Sequence, residues 1–470
     1  MEEFENAEPA DVELNIAIER FEEMLRRNKR YFFDQHILVQ IIDHFIGLDD
    51  MTKATEAANL AVEQYPFSIE SWLKRAQIFT EEGKYEAALK ILDKAETVEP
   101  NDINVLLMRS DCLLLLDKYQ QAVEILQTGL EKANEDEKDL YHLEIADVYF
   151  EWDNMEKAFE HVVKSLRVNP TNEYALNRIW YLTEITNKYE ESAALHNWII
   201  DEHPFCYAAW TNLSQAYSGL NLLEKALECC EYAMAINENM DVAYRDAGEI
   251  LIELKRYKDA LENFSKVQSL VVPDAFLLFN MGFCFERLKD FSTARNHYQR
   301  SIQTNKNFSD GYFQIGETYA KEGDWKKAIP YYRTATKLNE NYLPYRGKLA
   351  KAMLMSEYYR EAGKLFIELL EHNPKKKTWW QGLIKVYLEL GKVEDAFFAY
   401  NQAISYLGST ADFNYISVAI FWAGGQQSAA LLALENALAE NKRRYKTLFE
   451  LMPSLLKEPK ILHAIAMARK

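Results

Sequence analysis

The chain has 470 residues, with 54 Lys and Arg against 73 Asp and Glu, a formal net charge of −19. Its 48% hydrophobic and 13% aromatic residues, against 16 Gly and 11 Pro, exclude a disordered, collagen-like or low-complexity chain, and its length exceeds one ordinary core. The charge is uneven: residues 1–170 hold 18 basic and 37 acidic groups, residues 171–320 hold 13 and 21, and residues 321–470 hold 23 and 15. Such a gradient points either to different partners for the two ends or to acidity that keeps a long surface soluble.

Five cysteines (Cys112, Cys206, Cys229, Cys230, Cys284) are too few and too scattered for a disulfide framework, and a reducing compartment fits them. The amino terminus, MEEFENAEPADVEL, is acidic where a secretory signal is basic and then apolar. No apolar run reaches the roughly 18 residues of a membrane span. The expectation is a cytoplasmic protein without membrane insertion.

In chain order, the first element is an amphipathic helix over about Asp11–Arg30 that passes from acidic to basic and can cap the helices after it. From Gln35 onward the sequence repeats every 34 residues. Blocks start at Gln35, Ile69, Ile103, Asp139, Glu173, Tyr207, Asp241, Ala275, Ser309, Leu343, Lys377 and Ala411 and end near Arg444, with Glu137 and Lys138 as the surplus. The twentieth position holds Ala54, Ala88, Ala122, Ala158, Ser192, Ala226, Ala260, Ala294, Ala328, Ala362, Ala396 and Ala430. Position 8 is often small (Ala76, Ser110, Ala146, Ser214, Gly248, Gly282, Gly316, Ala350), although Ile42, Ile384 and Val418 also occur there. Position 4 is large (Trp72, Trp210, Tyr244, Tyr312, Trp380), positions 11 and 24 are bulky, and Pro66, Pro100, Pro170, Pro204 and Pro374 stand at position 32.

These residues resemble the tetratricopeptide repeat over about residues 35–444. Thirty-four residues divide into two amphipathic helices, A and B, and a small residue at position 8 facing the alanine of position 20 lets their backbones approach closely. The resemblance implies an all-α solenoid, a right-handed superhelix of about twelve repeats with helical caps. Block five departs from the pattern: Trp180 fills position 8, Ser192 replaces alanine, and Ile199 fills the usually small position 27. It is read either as a junction or as a compensated repacking. The organisation expected is an amino-terminal cap (1–34), an acidic array of repeats one to four (35–172), a second array of repeats five to twelve with repeat five as junction (173–444), and carboxy-terminal caps (445–470). Tyr445–Leu456 and Pro459–Arg469 read as the final helix pair.

Opposite the packed stripe of helix A, positions 2, 5, 6, 9, 12 and 13 are expected to line a concave face. Position 6 offers Arg178, Asn212, Asp246, Asn280, Gln314 and Lys348, one polar rung per repeat. In tetratricopeptide proteins that bind extended peptides, an amide at this position commonly holds the ligand backbone, a role that Asn212, Asn280 and Gln314 match. Tyr174, Tyr181, Phe276, Phe279, Phe283 and Phe313 fall at positions 2, 5 or 9, where no packing need is evident, and read as apolar platforms. The alternative is packing on the neighbouring repeat. Lys348, Lys351 and Lys385 favour an acidic ligand segment farther on. No block carries the Lys/Asn pair at positions 5 and 9 with which chaperone-docking relatives clamp a terminal carboxylate.

No P-loop, dinucleotide, metalloprotease or nucleophile-elbow pattern occurs, and the nine histidines lack ligand spacing. The expectation is therefore no enzyme, no catalytic residue, no cofactor and no metal, but a protein-interaction scaffold or adaptor that captures a peptide or protein segment in the concave groove of blocks five to ten, with the acidic array before it as a second surface. The alternative is an RNA- or ribosome-associated factor using the basic clusters Lys375-Lys376-Lys377 and Lys442-Arg443-Arg444 with Lys446, against which the net charge of −19 argues. Overpacking position 20 tests the register: Ala260→Leu should destabilise by roughly 1–3 kcal/mol, and an unchanged melting midpoint contradicts the phase.

Overall fold

The computed structural model describes residues 9–100 and 102–469, and among them only helices, turns and connecting segments occur. Consecutive helices pair into the expected hairpins, one hairpin of two helices per block, as an all-α solenoid. Helix A begins on the first residue of every block except the fourth, where it starts one residue early at Lys138. Many starts are fixed by side-chain caps that satisfy a backbone N–H otherwise left without a partner. Asp102 accepts from Val105 N at 3.1 Å, Asn172 from Ala175 N at 3.1 Å and Asp274 from Leu277 N at 2.7 Å.

The chain separates into two compact units, Met1–Asp246 and Ala247–Lys470. In both units the alanines of position 20 are fully buried, all eleven at 0% exposure, with Ser192 at 1%. The aromatic of position 24 lies directly over position 8. A Cβ added to Gly248 would stand 2.3 Å from the Phe264 ring, and one added to Gly282 or Gly316 would stand 2.8 Å from the Tyr298 or Tyr332 ring. In repeats two, six and eleven a tryptophan at position 4 ties the repeat to the end of the one before it. Trp72, Trp210 and Trp380 donate their indole N–H to the carbonyls of Pro66, Pro204 and Pro374 at 2.9, 2.9 and 2.8 Å.

A further period appears in the backbone. Position 15, in the turn between helices A and B, has a positive φ in all twelve blocks, at Asp49, Gly83, Asp117, Asp153, Asn187, Asn221, Lys255, Lys289, Gly323, Glu357, Gly391 and Gly425. Asn and Asp tolerate this left-handed geometry, whereas Lys and Glu hold it at a cost.

Repeat five keeps the fold by moving its close contact one helical turn. Trp180 turns outward, 48% exposed, and Thr183 at the usually bulky position 11 becomes the small residue that meets Ser192. Helices A (Glu173–Thr186) and B (Tyr189–Glu202) consequently meet sparsely, and helix A packs on helix A of repeat six (Tyr207–Gly219) instead. The seam is polar. Thr183 Oγ1 lies 3.1 Å from Ser192 Oγ, and His196 Nδ1 lies 2.7 Å from the Ser192 carbonyl. A carbonyl only accepts, so Nδ1 carries the proton and Nε2 accepts from Asn212 Nδ2 at 3.3 Å. Burial pushes the His196 pKa down to about 4.

The ends are capped. The first helix runs Pro9–Arg27, three residues short of the expected end, and seals repeat one with Phe21 and Met24, fully buried beside Phe33 and Phe45. At the other end the expected Tyr445–Leu456 helix breaks at Met452, because Pro453 disfavours helical geometry in the residue before it. A helix over Lys446–Leu451, a 3-10 turn over Pro453–Lys457 and a helix over Pro459–Arg469 result.

Glu357→Gly should raise stability by about 1 kcal/mol by relieving the left-handed strain, and an unchanged or lower denaturation midpoint contradicts this. His196 predicts a pH effect of known sign. An unfolded imidazole protonates near 6.5, whereas the buried ring resists protonation until about pH 4. Its contribution is therefore complete above pH 6.5 and is lost as pH falls toward 4. Across that window wild type should lose a few kcal/mol more than His196→Gln, and parallel pH profiles contradict the assignment.

Candidate functional site

On helix A the outward face is organised by a ladder between repeats. Position 6 donates to the acid at position 9 of the preceding block. In the first unit Lys74 reaches Asp43 at 2.5 Å and Arg178 Nε reaches Asp147 at 3.0 Å. In the second, Asn280 Nδ2 reaches Glu249 at 3.2 Å and Lys348 reaches Glu317 at 2.6 Å. The rungs expected at Arg178, Asn280 and Lys348 are thus already engaged within the chain. Asn212 departs further: it is 5% exposed and its amide donates to the Leu176 carbonyl at 2.8 Å, so it belongs to the repeat-five seam and not to an open face. Asp246 and Gln314 are half-buried.

The expected platforms divide in the same way. Tyr174, Tyr181 and Phe276 are exposed, at 50%, 42% and 64%. Tyr174 also donates its hydroxyl to Asp147 at 2.8 Å. Phe276 also meets the Phe308 ring at 5.2 Å and Tyr181 the Phe150 ring at 5.8 Å. Phe279, Phe283 and Phe313 are less exposed and have packing partners that their block positions do not reveal. Phe279 sits 5.2 Å from the Phe308 ring and 5.3 Å from Tyr298, Phe283 sits 6.4 Å from Tyr257, and Phe313 stacks on Tyr345 at 4.7 Å. The cause is reach: Phe308 and Tyr345 come from the next turn or repeat, where a block-by-block reading does not look.

Charge follows the same faces. In the first unit Asp111, Glu144 and Asp147 crowd together. Burial, then repulsion from Asp111 and Asp147, pushes the Glu144 carboxyl up to about 7.

In the second unit the helices A of repeats ten (Leu343–Met355), eleven (Lys377–Glu389) and twelve (Ala411–Ala423) enclose a cavity of about 1200 Å³ with the segment Thr447–Pro453. Its apolar walls include Leu343, Leu354, Phe366, Trp379, Ile416, Phe449 and Leu451. Lys348, Lys351, Lys376, Lys377, Lys385 and Arg444 also line it, against the carboxylates of Asp412 and Glu450. Asp412, 5% exposed, is the post on which the terminal segment hangs: Lys377 pairs with it, Arg444 approaches at 3.4 Å and Thr447 at 3.5 Å. Lys385 donates to the Glu450 carbonyl at 2.8 Å, closing the far side.

Three expected residues, Lys348, Lys351 and Lys385, therefore meet in one cavity, whereas Phe276, Phe279, Phe283 and Gln314 do not line it. Sequence reasoning missed Trp379, Asp412 and the contribution of Lys376, Lys377 and Arg444. The last three were assigned to separate basic clusters, and only the anchoring at Asp412 brings those clusters together. Trp379 is 7% exposed, and its indole N–H has no hydrogen-bond partner among the described residues. Gly347 makes room for it, since an added Cβ would stand 2.8 Å from Trp379 Nε1.

No described helix is long and apolar enough to cross a membrane. Sequence models of the tetratricopeptide repeat match residues 79–144, 207–240, 277–307 and 309–342. A TPR repeat-containing protein of Methanocaldococcus jannaschii is 23% identical over 382 residues, covering 75% of this chain and 66% of that protein. Anaphase-promoting complex subunit 3 of Schizosaccharomyces pombe is 25% identical over 211 residues, 44% of this chain and 31% of that one. The chain thus spans less than two thirds of either relative. A crystal structure of a tetratricopeptide repeat protein from Parabacteroides merdae is similar over 52% of this chain and 98% of its own, at 20% identity and a TM-score of 0.39. A period of 34 residues kept through twelve hairpins, and matched by repeat models in both units, places the chain in the tetratricopeptide repeat family.

Proposed function

We propose that the chain is a non-catalytic scaffold or adaptor that holds an extended protein segment against the helix A faces of its second unit. The observation that carries this reading is the cavity of about 1200 Å³ between repeats ten to twelve and the terminal segment. It is larger than the pockets of roughly 300–1,000 Å³ that suit small molecules. Its apolar walls and peripheral cations match the division of labour in peptide recognition, where burial supplies affinity and polar groups set register. The exposed Phe276 and the half-buried Gln314 extend the same face toward repeats eight and nine. The fission-yeast relative is named as a subunit of a multiprotein complex, which agrees with a role in assembly. The acidic first unit offers a second surface. All five cysteines are unpaired, which supports a cytoplasmic setting.

Affinity capture from lysate tests the groove. Wild type is compared with a Lys351→Ala, Lys376→Ala variant, which changes two exposed residues that line the cavity and leaves its apolar walls intact. The variant should keep the wild-type melting temperature and lose the captured partner. Equal recovery at equal stability rejects the groove.

A further inference from the structure

The ladder between helices A breaks at one rung. Elsewhere a donor at position 6 meets an acid at position 9 of the preceding block: Lys74 meets Asp43, Arg178 meets Asp147, Asn280 meets Glu249 and Lys348 meets Glu317. Between repeats three and four the same two places hold Glu144 and Asp111, an acid set against an acid. Neither side chain has a hydrogen-bond or ion-pair partner among the described residues.

The neighbouring elements supply no cation to this rung. The titratable and charged groups around Glu144 are Asp111 on helix A of repeat three (Ile103–Leu114), Asp147 on its own helix (Lys138–Glu151), and Tyr174 with Arg178 on helix A of repeat five. Arg178 and Tyr174 are both spent on Asp147, at 3.0 and 2.8 Å. Helices B of repeats three (Tyr119–Lys132) and four (Met155–Val168) add no charge at Glu144. Lys157 lies over the Tyr149 ring instead, and Lys164 acts on His142 and His161. Glu144 is half-buried, so water screens the repulsion incompletely.

We propose that this rung is a pH-sensitive joint: repeats three and four pack closed while Glu144 is protonated, and their helices A are pushed apart when Glu144 and Asp111 are both ionised. In a solenoid each repeat contacts only its neighbours, so one loosened contact opens locally and leaves the others in place. The joint lies within the first unit and does not depend on the groove reading. Its sign is opposite to that of His196. An unfolded glutamate ionises near 4.5, whereas burial and the two neighbouring acids raise Glu144 to about 7. Stability therefore falls as pH rises from 4.5 to about 7 and stays at the lower level above it.

Thermal unfolding and hydrogen–deuterium exchange of the full chain, at about pH 5 and about pH 8, test the joint. Glu144→Gln removes the ionisable group with little change of shape. It should match wild type in acid and melt about 2–4 °C higher than wild type in base. Glu144→Lys builds the missing rung, as Lys74 does with Asp43, and should also raise the midpoint in base. Glu131→Gln, exposed on helix B of repeat three, changes the net charge by the same amount as Glu144→Gln and should leave both midpoints unmoved. In wild type, exchange over Ile103–Leu114 and Lys138–Glu151, corrected for the intrinsic rate, should be at least about threefold faster in base than in acid. Glu144→Gln should abolish that difference. Parallel pH profiles for wild type and Glu144→Gln, an equal gain from Glu131→Gln, or a lower midpoint in base for either Glu144 variant overturns the joint.

Discussion

The structure depends on one close approach, repeated in step. An alanine at position 20 with no exposed surface, a small residue at position 8 and an aromatic ring lying across it bring helices A and B together. The room is tight enough that one added carbon at Gly248 would meet the Phe264 ring at 2.3 Å. Because that face of helix A is consumed by the hairpin, its opposite face is left for contacts between repeats and for anything brought from outside. The period and the open outer face of helix A are therefore two consequences of the same packing.

Repeat five shows what happens when the contact is displaced and not lost. Trp180 cannot enter the seam, so the small residue moves one turn along to Thr183, and the helix follows it. Polar groups then meet where hydrocarbon normally does, and each needs a partner. His196 and Asn212 complete that network at the expense of a groove residue. A departure that looked like three separate violations is one coupled rearrangement.

The hairpins, their phase and even the starting residue of nearly every helix A were legible in the sequence, because close packing admits few side chains and the period exposes them. The groove was legible in part. Lys348, Lys351 and Lys385 could be aligned by block position, and the cavity brings them together. Asn212, Phe279 and Phe313 could not be judged from position alone, since what seals them comes from neighbouring turns and repeats. Trp379 was hidden because its role needs Gly347 in the previous repeat. Arg444 was hidden because its place depends on Asp412, which lies 32 residues earlier in the chain. The cavity of the second unit is a tertiary fact, set by where the terminal segment is anchored. The left-handed turn at position 15 could have been found, for Gly, Asn and Asp dominate it, but Lys255, Lys289 and Glu357 blur that signal.

If the helix A faces of repeats ten to twelve, together with the terminal segment, form the surface that holds a protein ligand, binding must shield their backbone amides. Hydrogen–deuterium exchange of the full chain, alone and with its captured partner, tests this most directly. Protection concentrated in peptides spanning Lys348–Lys385 and Thr447–Pro453 is the predicted result. Protection confined to the B helices or to the first unit, with those segments unchanged, would contradict it.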